Sequence, residues 1–364
     1  MERSPRVFVM LPSQLSATNF YELFLAGLKA DRSPWGLGWC VDYGFDVQYS
    51  TATIPHGARG TIQRAIRTLV GADLVHGWAN RQAIRDADLI LTHMEREWIA
   101  TAFVLKKKRP DGPKLIANTI WLPGEWTQRN VLWRWAVTRA RPKVDYFTFN
   151  ARPALDAFAK LFGDGSRLRY VSFGTSWESF TPATIAPDPD RFVLVAGDDR
   201  YRDWSLLESV ASRMPDVPFL VASKSTPPSL AQLPNVEIQV ASGPREMQRL
   251  YERSAVGFIP LKQNLHASGI TVALETARVG RPIVIANTGG IADYFGPDEV
   301  AYFDVGDAED ASRKIRELLA SPEQSQSLSA AASQRIAASR NDSKSFAERL
   351  LRAVGELAVG EFDD

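Results

Sequence analysis

Cysteine, histidine, long apolar runs and any excess of charge are all scarce in this chain. A single cysteine, Cys40, excludes an intrachain disulfide framework. Four histidines, His56, His76, His93 and His266, are scattered without the close spacing of a ligand set, so no metal is expected. With 43 basic and 42 acidic residues the net charge is +1. No global field therefore argues for nucleic acid as a partner, and only a local basic patch is left open. No apolar run approaches the roughly 20 residues that span a bilayer. The chain begins Met1-Glu2-Arg3-Ser4-Pro5 and runs directly into Val7-Phe8-Val9-Met10-Leu11, without the apolar region and cleavage site of a secretion signal. These absences lead to the expectation of a cytoplasmic protein, with peripheral contact at the inner face of the membrane left open.

At 364 residues, 45% hydrophobic and 23% charged, the chain has the composition of a globular protein too long for one ordinary core. Short apolar runs alternate with amphipathic stretches, the pattern of parallel sheets covered by helices. Strands are predicted at 6–11, 46–50, 88–92, 114–118, 145–149 and 168–172. In the second half they are predicted at 192–196, 218–222, 236–240, 255–259, 282–286 and 300–303. Helices are predicted near 203–213, 244–253, 270–279 and 307–320. The proline-rich, aperiodic stretch 181–190 reads as a linker. The expected fold class is α/β: two Rossmann-like, doubly wound parallel-sheet domains, 1–180 and 181–364, facing a central cleft, with the last helix free to pack back on the first domain. Such folds bind ligands at the carboxyl ends of their strands.

The stretch Ala267-Ser268-Gly269-Ile270-Thr271-Val272-Ala273-Leu274-Glu275 is the most informative. Its small and hydroxylated opening suits the first turn of a helix, where unpaired N–H groups and the helix dipole attract an anion such as phosphate. Ser268, Thr271 and Glu275 fall on one helical face, which would put Glu275 a turn beyond the phosphate end, within reach of ribose hydroxyls. A capped surface helix before an ordinary strand remains the plain alternative.

Three segments in matching order carry a family resemblance: FVLVAGDDRYRDWSLLESVA, NVEIQVASGPREMQRLYERSAVGFIP and ASGITVALETARVGRPIVIANTGGIADYF. Over Phe192 to Tyr302 the chain resembles the nucleotide-binding domain of retaining GT-B-fold glycosyltransferases, in particular family 4. The resemblance implies that Arg202, as a catalytic residue, holds the donor diphosphate together with Ser268, Gly269, Ile270 and Thr271, and Arg200, two residues earlier in the same loop, could join it. It implies Glu275 on the ribose and Val240, Ala241 and Ser242 at the base; His266, beside Ala267, could take a hydroxyl of the donor sugar as donor or acceptor, or be an ordinary loop histidine. Guanidinium groups suit the first task because they grip two phosphate oxygens at once. Ala267 stands where the family has its first glutamate, which contacts the transferred sugar.

The first half resembles the family only in strand order and in RYVSFGTSWESFTP. After the first strand the family's diglycine is missing; Ser13, Ser16, Thr18 and Asn19 could line the cleft or equally form a plain strand-to-helix loop. His93, at a strand's carboxyl end, is a candidate catalytic or sugar-binding histidine. Trp121, Trp126, Trp133 and Trp135 crowd near Arg129, Arg134, Arg139, Arg141 and Lys143. That pattern suits sugar rings or an anionic membrane, and equally a helix with tryptophans packed inward. Lys106-Lys107-Lys108-Arg109 reads as a solvated helix end.

What the resemblance implies is a glycosyltransferase, specifically a hexosyltransferase independent of metal and of any resident cofactor. It would move a sugar from a nucleoside diphosphate sugar, UDP- or GDP-linked, to a hydroxyl of a carbohydrate or lipid-linked acceptor, with retention, in glycan, polysaccharide or glycoconjugate biosynthesis. Two other readings stay open: a nucleotide-sugar epimerase or phosphorylase on the same architecture, and a catalytically silent nucleotide-binding subunit of a polysaccharide assembly complex.

Overall fold

A computed structural model describes residues 3–53, 57–105, 112–183 and 191–357. His56, the Lys106–Arg109 run and most of the 181–190 stretch lie outside them. Among the described residues, twelve strands form two six-stranded sheets. The first sheet contains β1 (Arg6–Met10), β2 (Asp46–Tyr49), β3 (Leu89–Thr92), β4 (Lys114–Asn118), β5 (Tyr146–Phe149) and β6 (Leu168–Tyr170). The second contains β7 (Val193–Ala196), β8 (Phe219–Ala222), β9 (Val236–Gln239), β10 (Val256–Ile259), β11 (Ile283–Ala286) and β12 (Ala301–Phe303). Every pairing between these strands is parallel, with registers such as Val7↔Leu89 and Val193↔Phe219. Parallel pairing requires a crossover after each strand, which the intervening helices supply. Because helices cover both faces, central strands such as Val-Leu-Val-Ala (β7) and Ile-Val-Ile-Ala (β11) are buried throughout.

The strand orders are β2-β1-β3-β4-β5-β6 and β12-β11-β10-β7-β8-β9. In the second sheet the order reverses between β7 and β10, the switch point outside which α/β sheets open a crevice. The helix Ile270–Val279 comes close to β10 because Gly257 has no side chain: a Cβ there would lie 2.8 Å from Thr276 Cγ2. The two units are compact: Met1–Leu23, Arg32–Ser172 and Ser343–Asp364 form one, Phe24–Asp31 and Phe173–Asp342 the other. This differs from a single division at 180. The segment from Phe173 joins the second unit, Phe180 packing with Leu250 and Tyr251. Phe24–Asp31 joins it as well, Ala30 C=O accepting a 2.6 Å bond from Ser179 Oγ. The final helix, Ser343–Ala353, packs in the first unit on the 3-10 segment Pro34–Tyr43. There Gly36, at φ +71°, lets Ser343 approach where a Cβ would be 2.8 Å from it.

In the first unit the helix Glu95–Val104 buries Trp98 edge-on against Phe147, with ring centroids 5.7 Å apart. Glu97, only 4% exposed, accepts the N-cap Met94 N–H at 3.1 Å. Burial pushes its pKa up to about 8. Between the ordinary glutamate range and about pH 8, the native state therefore holds a proton that the unfolded chain has lost, so stability falls as pH rises through that window. Gln can accept the same N–H without a charge. Glu97→Gln is expected to be more stable than the parent by about 1–3 kcal/mol at pH 8 and near equal to it below pH 4.5. Urea unfolding at several pH values measures the difference, and a constant offset would contradict the buried-acid account.

Candidate functional site

Strand β7 ends at Ala196, and the loop Gly197-Asp198-Asp199-Arg200-Tyr201-Arg202 leads to the helix Trp204–Arg213, capped by Asp203 through Leu206 N–H at 3.1 Å. Backbone bonds fix this loop to the segment after β10: Asp203 N–H to Pro260 C=O at 2.9 Å and Lys262 N–H to Tyr201 C=O at 2.8 Å. The clamp turns Arg202 inward, leaving it 1% exposed. One Nη donates to Ala196 C=O at 2.6 Å, while Nε and the other Nη find no partner among the described residues. Gly197, at φ +100°, makes room for the guanidinium, since a Cβ would stand 2.6 Å from Nη2. Burial pulls the Arg202 pKa down to about 10, opposed by Asp199, Tyr251 and Asp198, so the group remains a cation at neutral pH.

Arg202 lines a cavity of about 530 Å³ at the carboxyl ends of β7, β8 and β9. Across it begins the helix Ile270–Val279, with Gly269 at its N-cap in the left-handed conformation at φ +73°. A Cβ on Gly269 would lie 2.8 Å from Ile259 Cγ2, so only glycine seats this turn against β10. Ile270 N–H closes the turn on Ala267 C=O at 3.2 Å, and the first helical bond runs from Ala273 N–H to Gly269 C=O at 3.0 Å. The amides of Thr271 and Val272 fall between these two bonds, on residues that line the cavity. They and the helix dipole supply fixed positive character.

One turn on, Glu275 lines the same cavity and accepts a 2.7 Å bond from Tyr251 Oη. Burial raises the Glu275 pKa to about 7, against the opposing Tyr251 bond. Tyr251 is itself fully buried, and burial, then Glu275, keeps its proton in place well above the usual phenol range. The carboxylate is thus held by one donor and has oxygen capacity left for others. Lys224 and Ser223, at the end of β8, also line the cavity. Asp198 spends one carboxylate oxygen on Ser223 Oγ (2.8 Å) and Lys224 N–H (2.6 Å), and Asp199 one on Tyr201 N–H (2.7 Å). No cluster of three or more metal-ligating side chains occurs among the described residues.

Of the residues expected from the sequence, Arg202, Gly269, Ile270, Thr271, Glu275, Val240 and Ala241 meet in this cavity. Four others expected in the same unit lie outside its lining. Arg200 is exposed, its guanidinium 5.2 Å from the Tyr201 ring. Ser242 is exposed and gives both its N–H and its Oγ to Glu246, each at 2.7 Å. Ser268 is buried, and its Oγ has no partner among the described residues. His266 is buried with its ring 4.7 Å from that of Tyr201, and its loop is fixed by Gly290 N–H on His266 C=O at 3.1 Å. Burial lowers its pKa to about 4. His93 belongs to the first unit, stacked on Trp35 at 4.0 Å, and burial lowers its pKa to about 3. That makes it a neutral and weakly basic imidazole. Ser13 lines a separate 170 Å³ cavity in the first unit with Glu97 and His76. Sequence reasoning missed Lys224 and Tyr251. The strand-end position was the available signal for Lys224. None marked Tyr251, which reads as the apolar face of an amphipathic helix.

Residues 230–335 match the family model of glycosyl transferases group 1. No curated protein matches the chain by sequence. Among solved structures it is similar to a sucrose-phosphate synthase from Thermosynechococcus elongatus, with TM-score 0.71 at 14% identity over 96% of this chain and 98% of that one. It is similar to Anabaena HepE in complex with UDP and glucose, with TM-score 0.70 at 12% identity over 97% and 100% of the two chains. A glycosyltransferase from Rickettsia africae aligns with TM-score 0.65 at 10% identity over 98% and 99%. The fold is GT-B, two Rossmann-like α/β units. The matched family segment contains Val240, Tyr251, Gly269 and Glu275, and together with the fold it supports a glycosyltransferase.

A buried cation without an acidic partner is costly unless an anion joins it. Arg202→Met is therefore expected to hold or raise the melting temperature of the free protein, while weakening inorganic pyrophosphate by about tenfold to a hundredfold. Calorimetric titration and thermal unfolding read both. Unchanged pyrophosphate affinity would remove Arg202 from the anion site.

Proposed function

We propose that the second unit binds a nucleoside diphosphate sugar, UDP- or GDP-linked, and that the protein transfers its sugar to a hydroxyl of a carbohydrate or lipid-linked acceptor in glycan or glycoconjugate synthesis. The observation carrying this reading is Arg202, buried and charged, with two donor nitrogens available in a cavity whose opposite wall is a helix N-terminus. In this reading the diphosphate lies between Arg202 and the amides of Thr271 and Val272. Lys224 adds charge at the rim. As the glycosidic bond to the donor breaks, negative charge grows on the leaving diphosphate, and preset donors stabilise it without reorganising. This chemistry needs no metal, because the cationic groups are already in the chain.

Glu275 then takes ribose hydroxyls on the capacity that Tyr251 leaves open, and main-chain groups of Val240 and Ala241 face the base. Ala267 lines the cavity where related enzymes place a glutamate on the sugar, so sugar recognition rests on other groups. Retention of anomeric configuration follows the sequence resemblance and is read directly by proton NMR of the product. UDP or GDP is expected to raise the melting temperature, whereas NAD is not. An absence of stabilisation by any nucleoside diphosphate at millimolar concentration would overturn the assignment.

A second prediction concerns pH. Because the carboxylate is the form of Glu275 that accepts two hydroxyl bonds, affinity for a nucleotide sugar should rise as pH passes upward through about 7. The diphosphate of an intact sugar nucleotide carries no proton in that range, so the change reports the protein. An increase of roughly threefold to tenfold between pH 6 and pH 8 is expected in the parent, with a flat profile in Glu275→Gln. A parallel rise in both proteins would assign the titration elsewhere.

A further inference from the structure

The balanced charge of the whole chain conceals a one-sided region in the first unit. Residues 57–72 contain three basic residues and 126–144 contain five, and neither stretch contains an acidic one. The fold brings them together: the helix Gly57–Val70 packs against the helix Val131–Ala140, and the backbone at Gly71 leaves room for the Trp133 ring. Several of these cations are committed within the protein. Arg67 pairs with Asp73, Arg129 with Glu125 and Arg141 with Asp164, while Lys143 donates to Ala102 C=O. Arg64, Arg134 and Arg139 have no ion pair among the described residues.

Beside them lies apolar surface that the fold leaves in water. Along the helix Val131–Ala140, Trp133, Ala136, Val137 and Ala140 face inward. The opposite side presents Val131 at 70% exposure, Leu132 at 51% and Trp135 at 54%. Their spacing puts all three on the face that also carries Arg139. Leu69, at the end of the neighbouring helix, is 52% exposed. Single exposed apolar residues are ordinary, but this arrangement is not scattered. A tryptophan and aliphatic side chains standing out of a helix, flanked by arginines and free of carboxylates, match the chemistry of an anionic bilayer surface. The apolar groups enter the headgroup boundary while the cations meet lipid phosphates. A second copy of the chain fits less well, since docking this face on itself would set arginine against arginine.

We infer that the face built from Val131, Leu132, Trp135, Arg134, Arg139 and Arg64 is a peripheral docking surface for an anionic lipid bilayer. It acts independently of the nucleotide cavity, which lies in the other unit. It would hold the enzyme at a membrane without any spanning segment, and no helix among the described residues is long and apolar enough to span one.

The test uses the full-length protein and vesicles of phosphatidylcholine alone or mixed with phosphatidylglycerol. Cosedimentation with the mixed vesicles, weak or absent on neutral ones and declining with salt, is the expected result. Leu132→Ser combined with Trp135→Ser should lower partitioning at least about tenfold. Arg134→Glu combined with Arg139→Glu should abolish the preference for anionic lipid. Each variant should keep the parent's melting temperature and nucleotide response, because the altered side chains are at the surface. Equal binding to both vesicle types, or none to either, overturns the proposal. So does concentration-dependent dimerisation that the Leu132 and Trp135 changes abolish, which would make the face a contact between copies.

Discussion

The second unit is organised around a guanidinium that is buried without a carboxylate against it. Desolvating an arginine is expensive, and proteins usually offset the cost with a direct acidic partner. At Arg202 the nearby acids are turned elsewhere: Asp198 toward Ser223 and Lys224, Asp199 toward the backbone of Tyr201. A single carbonyl bond, from Ala196, takes up one part of the fork. The remaining donors are held in place by a loop whose far end is tied to the segment after β10 and whose first residue, Gly197, is bonded to Ala222 C=O and lacks the atom that would push the side chain out. Such a group attracts an anion more strongly than an arginine already neutralised by a salt bridge, because the anion completes the solvation that folding removed.

Topology determines where this can happen. At the reversal between β7 and β10 the connections leave on opposite sides, so the loop after β7 and the helix following β10 diverge and a crevice opens between them. The loop contributes a full charge on a side chain, and the helix contributes partial charge from its amide dipoles. Gly257 and Gly269 are the close-packing positions that make the geometry tight: the first lets Thr276 approach the strand, and the second lets the turn lie against Ile259. A cavity made in this way depends on the absence of two methyl-sized groups as much as on the polar residues that line it.

The strands were legible because all-parallel sheets bury both faces and so write themselves as short unbroken apolar runs between turn residues. Ile283–Ala286 is such a run, fully buried. Edge strands were readable too: β9 is largely exposed, yet it retains Val236 and Ile238. The division into units was less legible, because Phe24–Asp31 and the helix Ser343–Ala353 each pack with residues far along the chain, and local periodicity contains nothing about such partners. The same limit shaped the site. Helical spacing placed Glu275 correctly relative to Thr271, since both belong to one element. Tyr251 comes from another helix, Pro244–Arg253, and its bond to Glu275 exists only where that helix packs on Ile270–Val279. His266 and Ser242 were near the cavity in sequence and are turned from its lining by bonds their own loops make.

The Tyr251 and Glu275 pair shows why proximity of opposite charges inside one cavity is not a contradiction. Arg202 faces the end where phosphate charge would concentrate, and Glu275 lies a helical turn further on. An incoming diphosphate would by itself favour the protonated form of Glu275, since two negative groups in a poorly solvated space repel. Ribose hydroxyls at Glu275, as proposed above, would reverse this tendency, because each can donate to the carboxylate and favour its charge. Tyr251, whose proton is held firmly by its own burial, already provides one such donor. A diphosphate lacking ribose would therefore gain Arg202 but meet an acid it cannot satisfy, whereas a nucleoside diphosphate supplies the negative charge for one end and the donors for the other. In the proposed reading, a cavity that is cationic at the loop and hydrogen-bond accepting along the helix would favour the whole nucleotide over its phosphate fragment.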